Sequence, residues 1–277
     1  MTRLMPKERQ GVAQYIYSIC AISLDETKDY LIEGRLGGLL AETKSASFTQ
    51  LVSLARADAT GVLRRRIVDE ITTGETLFFR DASPFELLRH KIIPEIIDRR
   101  ARMVARTPIR IWSAACSTGQ EIYSIAILLR ELLGDVNRYD IHLLGTDISD
   151  QAITRASRAH FTPIEISRGL SESARTKSFE PSPGGWKLRD EVRGMVSFRK
   201  LNLMEDFSSL GKFDVIFCRN VAIYFNDRDR ASLFHRVGQR MESDSFLVVG
   251  SMESLSGICP QFEAKRHLRS VFHQLRS

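Results

Sequence analysis

The apolar residues of this chain change period once, near residue 109, and that change demands two kinds of packing. Before it they recur at helical spacing: Leu36, Leu39 and Leu40, then Phe48, Leu51 and Val52, then Val62, Ile67, Val68 and Ile71. The spacing runs from residue 8 to about 106 and predicts a small helical bundle. After it, short apolar runs alternate with helical ones. Ile109 to Ala115 reads as a strand and Gln120 to Leu133 as a helix. A second strand, Ile141 to Ile148, leads to a helix that Ser149 or Asp150 can cap and that runs to about Ala159. Pro163, Pro181, Pro183 and the Gly184-Gly185 pair mark residues 161–194 as a turn-rich insertion with room for small antiparallel strands. Strands resume at Met195 to Phe198 and Phe213 to Cys218. A helix from about Asp227 to Met241 and a strand from Phe246 to Ser251 follow. Repeated βα units predict an α/β fold with a doubly wound, mostly parallel sheet, whose ligand lies beyond the carboxyl ends of the strands.

With 43% hydrophobic and 27% charged residues, disorder is not the default. The net charge of +6 favours acidic partners, whether nucleic acid, anionic lipid or carboxylate-rich protein, without choosing among them. Cys20, Cys116, Cys218 and Cys259 form no CxxC pair, so reduced thiols are expected, with neither disulfides nor zinc. Val12 to Leu24 follows basic residues as a signal peptide would, but Gln14 and two tyrosines interrupt it, and an amphipathic helix is expected instead. No apolar run approaches the roughly 20 residues needed to span a bilayer. The chain is expected in the cytoplasm, meeting a membrane only through a partner.

The chemistry should sit just after strands. Ala114 to Glu121 is a turn of small residues that lets a ligand approach the backbone, yet its single glycine falls short of a dinucleotide fingerprint. Asp147, ending the second strand, can accept both hydroxyls of an adenosine ribose or cap a helix. Thr72 to Asp81 lies at the junction of the two regions. Alone it reads as core aromatics followed by an Arg80–Asp81 surface pair worth roughly 0–1 kcal/mol. Phe217 to Phe225 leaves a buried strand and puts Arg219, Asn220 and Tyr224 at the ligand end, although a tyrosine between Ile223 and Phe225 is more often buried than catalytic. Arg64, Arg65, Arg66 and Arg56 read as a solvated helix face or as a lure for an acidic partner.

Together these segments resemble the CheR family of chemotaxis-receptor protein-glutamate methyltransferases over nearly the whole chain. The resemblance rests on TTGETLFFRD (Thr72–Asp81), WSAACSTGQEIY (Trp112–Tyr123), FDVIFCRNVAIYF (Phe213–Phe225), GTDIS (Gly145–Ser149) and Asn202-Leu203. It implies a class I S-adenosylmethionine-dependent methyltransferase with an all-α N-terminal domain and a small antiparallel β insertion. Residues 1–82 would recognise the receptor, 83–106 would be linker and connecting helix, and 107–277 would be catalytic, with the insertion at about 161–194. The family's cofactor contacts fall on Gly74, Thr76, Arg80, Glu121, Asp147, Asn202, Leu203, Arg219 and Asn220, and Arg80 and Tyr224 match residues beside the transferred methyl. Glu121 would hold the amino end of the cofactor. The chain departs from the family at Gly74, where asparagine is frequent, and at Ile122, where proline is common.

The resemblance implies S-adenosylmethionine as cofactor, S-adenosylhomocysteine as product, and no metal. The partner implied is the cytoplasmic helical domain of a methyl-accepting chemotaxis receptor, acidic enough to meet the arginine run. In some members a receptor C-terminal peptide docks at the β insertion. Nucleic acid is not expected. A glutamate, with a reference pKa of about 4.3, is already ionised at neutral pH, so no general base is needed to make it a nucleophile. Three rival readings fit the sequence less well. A nucleic-acid methyltransferase would carry Asn/Asp-Pro-Pro-aromatic after this strand, whereas Asn220 is followed by Val-Ala-Ile. A non-catalytic S-adenosylmethionine-binding module is left open by Gly74 but opposed by Arg80, Asp147 and Tyr224 together. A nicotinamide-dependent oxidoreductase lacks its glycine fingerprint.

Overall fold

A computed structural model describes residues 3–102 and 107–276. The end of the expected 83–106 connection, residues 103–106, lies outside the described residues, as do positions 1, 2 and 277. Four helices form the bundle: α1 (Pro6–Cys20), α2 (Asp29–Glu42), α3 (Phe48–Ala57) and α4 (Val62–Ile71). They close on Ile16, Ile32, Leu36, Phe48 and Ile67, each almost wholly buried. Helix α1 starts and stops earlier than the Val12–Leu24 reading. Pro6 is preorganised for a first turn, and Glu8 reaches back to the Met5 N–H (3.2 Å). At the other end Ala21 turns left-handed (φ 57°) and its N–H donates to the Tyr17 carbonyl, which closes the helix.

Helix α5 (Ala82–Leu87) continues through a π turn at Leu88–Ile92 into α6 (Ile93–Ala101). The remaining elements are β1 (Ile109–Ala114), α7 (Gln120–Leu133), β2 (Ile141–Asp147), α8 (Asp150–Arg158), β3 (His160–Phe161), α9 (Pro163–Ser167), α10 (Glu172–Ser178), β4 (Phe179–Ser182), β5 (Gly185–Leu188), α11 (Asp190–Arg193), β6 (Val196–Lys200), β7 (Phe213–Cys218), α12 (Asp227–Gly238), β8 (Met241–Val249), β9 (Phe262–His267) and β10 (Ser270–Leu275). The main sheet runs β6-β2-β1-β7-β8-β10-β9, parallel except where β10 pairs antiparallel with β8 and β9. It is the doubly wound, mostly parallel sheet expected from the alternating pattern. Chain order reverses at β1 and β7, which pair directly, Ile111 opposite Val215. A crevice therefore opens beyond Ala114 and Cys218. Every residue of β7 is buried, as a central parallel strand requires.

Two details depart from the periodicity. Helix α12 stops at Gly238, and Met241 opens β8 instead of closing the helix. The Ser245 hydroxyl donates to the Phe213 carbonyl (2.8 Å) and accepts from the Glu242 N–H (2.9 Å), so a register irregularity carries exposed polar residues inside a strand. The β9–β10 hairpin was not anticipated, because four consecutive residues of β9 are exposed and leave no alternation to read.

The insertion forms a separate, antiparallel sheet, β3-β5-β4. Its Phe161 and Phe179 enclose Phe78 edge-on at 4.9 and 5.5 Å. Gly169 approaches so closely that a Cβ there would lie 1.8 Å from the Phe78 carbonyl oxygen. The insertion thus grips the TTGETLFFRD segment from outside, and that segment is an irregular loop in which Phe79 (φ 49°) and Asp81 (φ 58°) are left-handed.

Candidate active site

The loop leaving β1 turns sharply through left-handed residues at Ala115, Ser117 and Gly119. Gly119 is required there, since a Cβ would sit 3.1 Å from both Ala156 Cβ and Tyr123 Cε2 at a φ of 93°. The turn aims the Ser117 N–H at Asp147 Oδ2 (2.8 Å), while Asp147 Oδ1 accepts the Ser149 N–H (3.0 Å). Of the two candidate caps for α8, Ser149 does the capping, its Oγ accepting from the Ala152 N–H. Asp147 is thereby free of that task and joins the loops after β1 and β2. Burial pushes its carboxyl above the ordinary range, and the nearby Asp69 carboxylate adds to the rise. Asp69, on α4, accepts the Ser149 hydroxyl (2.6 Å), so the bundle also holds the start of α8.

Glu121, in the first turn of α7, accepts Ser113 Oγ on Oε1 and the Arg219 guanidinium on Oε2, both at 2.8 Å. Arg219 is buried; it also meets Asp81 Oδ2 (2.7 Å) and the Arg80 carbonyl (3.0 Å). Arg219 therefore ties the end of β7 to α7 and to the Thr72–Asp81 loop. Arg80 differs. Among the described residues it forms no ion pair, and a single bond from Nη1 to the Glu75 carbonyl (3.2 Å) leaves its other donors for a ligand.

Beyond β7, Asn220 is left-handed (φ 57°) and leads into the short turn Ala222–Tyr224. Tyr224 is half-buried rather than core, Ile223 beside it is 50% exposed, and the Tyr224 carbonyl accepts the Ser23 N–H from the bundle (3.0 Å). Asn202 donates to the Ile19 carbonyl (3.3 Å) and accepts the Met204 N–H, and Leu203 is buried. Of the arginine run, Arg66 pairs with Glu42 and Arg65 approaches Asp150 (3.6 Å), while Arg56 lies over the Tyr15 ring.

All ten residues singled out from the sequence, Gly74, Thr76, Arg80, Glu121, Asp147, Asn202, Leu203, Arg219, Asn220 and Tyr224, border one cavity of about 250 Å³ at the strand-order reversal. Cys20, Ile22 and Asp69 of the bundle complete its wall. Sequence reasoning missed Asp69 and Ser117 and, from the segment alone, took Asp81 for a surface partner of Arg80. Asp81 and Ser117 lay inside motifs already noted; Ser117 acts through its backbone N–H and Asp69 across domains, where no spacing reveals them.

The donor set suits a ligand with a diol, an ammonium and a carboxylate: Asp147 keeps lone pairs for hydroxyls, Glu121 for an ammonium, and Arg80 its free donors for an anion. Ile148, Leu203 and Val221 supply apolar walls. Such a set fits S-adenosylmethionine. Among the described residues no cluster of His, Cys, Asp and Glu is arranged to hold a metal ion, and no helix is long and apolar enough to cross a membrane.

Comparison with known proteins agrees. Residues 74–270 match the family described as CheR methyltransferase, SAM binding domain, and residues 7–72 match the CheR methyltransferase all-alpha domain. A chemotaxis protein methyltransferase of Pseudomonas putida is 35% identical over 267 residues, covering 95% of each chain. One from Vibrio parahaemolyticus is 35% identical, covering 98% of this chain and 97% of its own, and one from Borreliella burgdorferi is 33% identical, covering 90% of this chain and 89% of its own. The motif order, the doubly wound sheet with its helical N-terminal bundle, and these matches together place the chain in the CheR family of S-adenosylmethionine-binding chemotaxis methyltransferases.

Proposed function

We propose that this methyltransferase esterifies glutamate side chains on the cytoplasmic helical domain of methyl-accepting chemotaxis receptors. Bound S-adenosylmethionine supplies a methyl group on a positive sulfur, which the target carboxylate takes up as a methyl ester with release of S-adenosylhomocysteine. The observation that carries the reading is the contrast between two arginines of one cavity: Arg219 is buried and neutralised, whereas Arg80 keeps unpaired donors in the cavity that Tyr224 also lines. A free guanidinium and a phenol orient an incoming carboxylate without deprotonating it, and an ionised glutamate needs no base. Among the described His, Asp and Glu side chains, Glu75, Glu121, Asp69 and Asp147 border the cavity, and none is required as a base in this scheme.

In this reading Asp147 holds the cofactor ribose, Glu121 its ammonium, and Gly74, Thr76, Asn202, Leu203 and Asn220 enclose the rest. Residues 1–82 read the receptor through the exposed arginine face, 83–106 connect, and 107–277 carry out transfer in the cytoplasm. The β insertion, about 161–194, offers a place for a receptor C-terminal peptide. The deciding experiment is transfer of labelled methyl from S-adenosylmethionine to receptor-containing membranes, with Arg80→Ala as control and an alkaline-lability test for methyl esters. Base-labile, Arg80-dependent label supports the proposal. Cofactor binding with no transfer to any receptor tested points to a non-catalytic binding module instead.

A further inference from the structure

The loop that carries Asn220 and Tyr224 is held by a residue outside the cavity. Glu253 is 7% exposed, and its carboxylate accepts four backbone N–H groups: Asn220 (2.7 Å) and Gly250 (2.7 Å) on Oε2, Ala222 (2.9 Å) and Val221 (3.2 Å) on Oε1. Among the described residues these amides have no other partner, and Glu253 has no ion pair. The amides themselves therefore balance its charge, as in an anion nest. The fit is tight: a Cβ on Gly250 would lie 2.6 Å from Glu253 Oε2 and 3.0 Å from the Asn220 N. Asn220 sits in a left-handed conformation, which asparagine reaches more readily than other side chains but does not hold by itself. The carboxylate, bonded to the three successive amides, holds it there, and the turn ending at Tyr224 starts from it.

We propose that Glu253 is a positioning residue for methyl transfer: by gathering the Asn220, Val221 and Ala222 amides it sets Asn220 and Tyr224 against the bound cofactor. The inference needs the methyltransferase site but not the identity of the methyl acceptor, so its test uses S-adenosylhomocysteine binding, which involves no receptor. Glu253→Gln puts an amide NH2 where two N–H donors converge. It should weaken S-adenosylhomocysteine binding about tenfold or more and speed hydrogen exchange at residues 220–222. Ser245→Ala is the control. Ser245 is equally buried and bonds Phe213 and Glu242 at the opposite end of the sheet, so it should cost stability but leave affinity within about twofold. Affinity unchanged in Glu253→Gln, or lost equally in Ser245→Ala, overturns the proposal. Should Glu253→Gln fail to fold, exchange in the wild-type protein decides. Amides 220–222 as protected as strand amides, and further slowed by S-adenosylhomocysteine, support the role; exchange as fast as in an open loop overturns it.

Discussion

The Arg219 guanidinium lies 2.8 Å from Glu121 Oε2 with its side chain 1% exposed, and Glu121 is itself only 13% exposed. A pair this buried is costly to break from one side, because the remaining charge loses its partner without gaining water. Arg219→Met should therefore lower unfolding stability by about 3–5 kcal/mol, read by urea denaturation. Cofactor affinity should fall as well, since Glu121 and the Asp81 end of the Thr72–Asp81 loop would both lose their anchor. A change below about 1 kcal/mol would mean that Glu121 finds another partner.

In the ribose role proposed for it, Asp147 should tie cofactor binding to pH. Hydroxyl donors favour the ionised carboxylate, so affinity is full above the folded-state pKa and falls as pH drops through it. Burial has raised that pKa, so the loss on acidification should begin at a higher pH than for an ordinary carboxylate. Calorimetric titration of S-adenosylhomocysteine across the acid range should show this slope in the wild type. Asp147→Asn should flatten it and weaken binding about ten- to hundredfold at neutral pH.

Gly74 leaves space that a side chain can use. A Cβ there meets nothing nearer than Ser117 Oγ at 3.6 Å, an ordinary contact, and the residue is exposed at the cavity edge. Gly74→Asn should fold normally and bind S-adenosylmethionine a fewfold more tightly, about 0.5–1.5 kcal/mol for one added hydrogen bond. Equal or weaker binding by calorimetry would show that backbone groups already make that contact.

Gly169 allows no such freedom. Its φ of 94° and the 1.8 Å approach of a Cβ to the Phe78 carbonyl mean that Gly169→Ala must push the insertion away from the Thr72–Asp81 loop. The expected outcome is a loss of about 2–3 kcal/mol or more together with lost methyl transfer, checked by thermal unfolding and a transfer assay. Full stability with full activity would show that the loop does not depend on the insertion.

Much of this architecture could be read along the chain because burial imposes period. The helical spacing of Leu36 to Ile71 and the continuous apolar run of β7 announced the bundle and the central strand, and the motifs after β1, β2 and β7 pointed to one end of the sheet. The β9–β10 hairpin could not be read, since an edge strand with one solvated face carries little apolar signal. The start of β8 was misplaced because a side-chain bond from Ser245 sustains a strand that its polar residues do not announce.

The sequence by itself determined the helical bundle and the mostly parallel sheet, because apolar periodicity acts over a few residues, and its motifs carried the resemblance that implied ten residues of the cavity wall. Only the tertiary structure decided which partners the polar and charged side chains there have. It showed Arg219 spent on Glu121 and Asp81 while Arg80 keeps its donors, Ser149 capping α8 so that Asp147 need not, and Glu253 holding the Asn220 loop from outside the cavity. The reason is physical: the state of a charged or polar side chain depends on which donors, acceptors and opposite charges reach it across the fold, and those arrive from segments far apart in the chain.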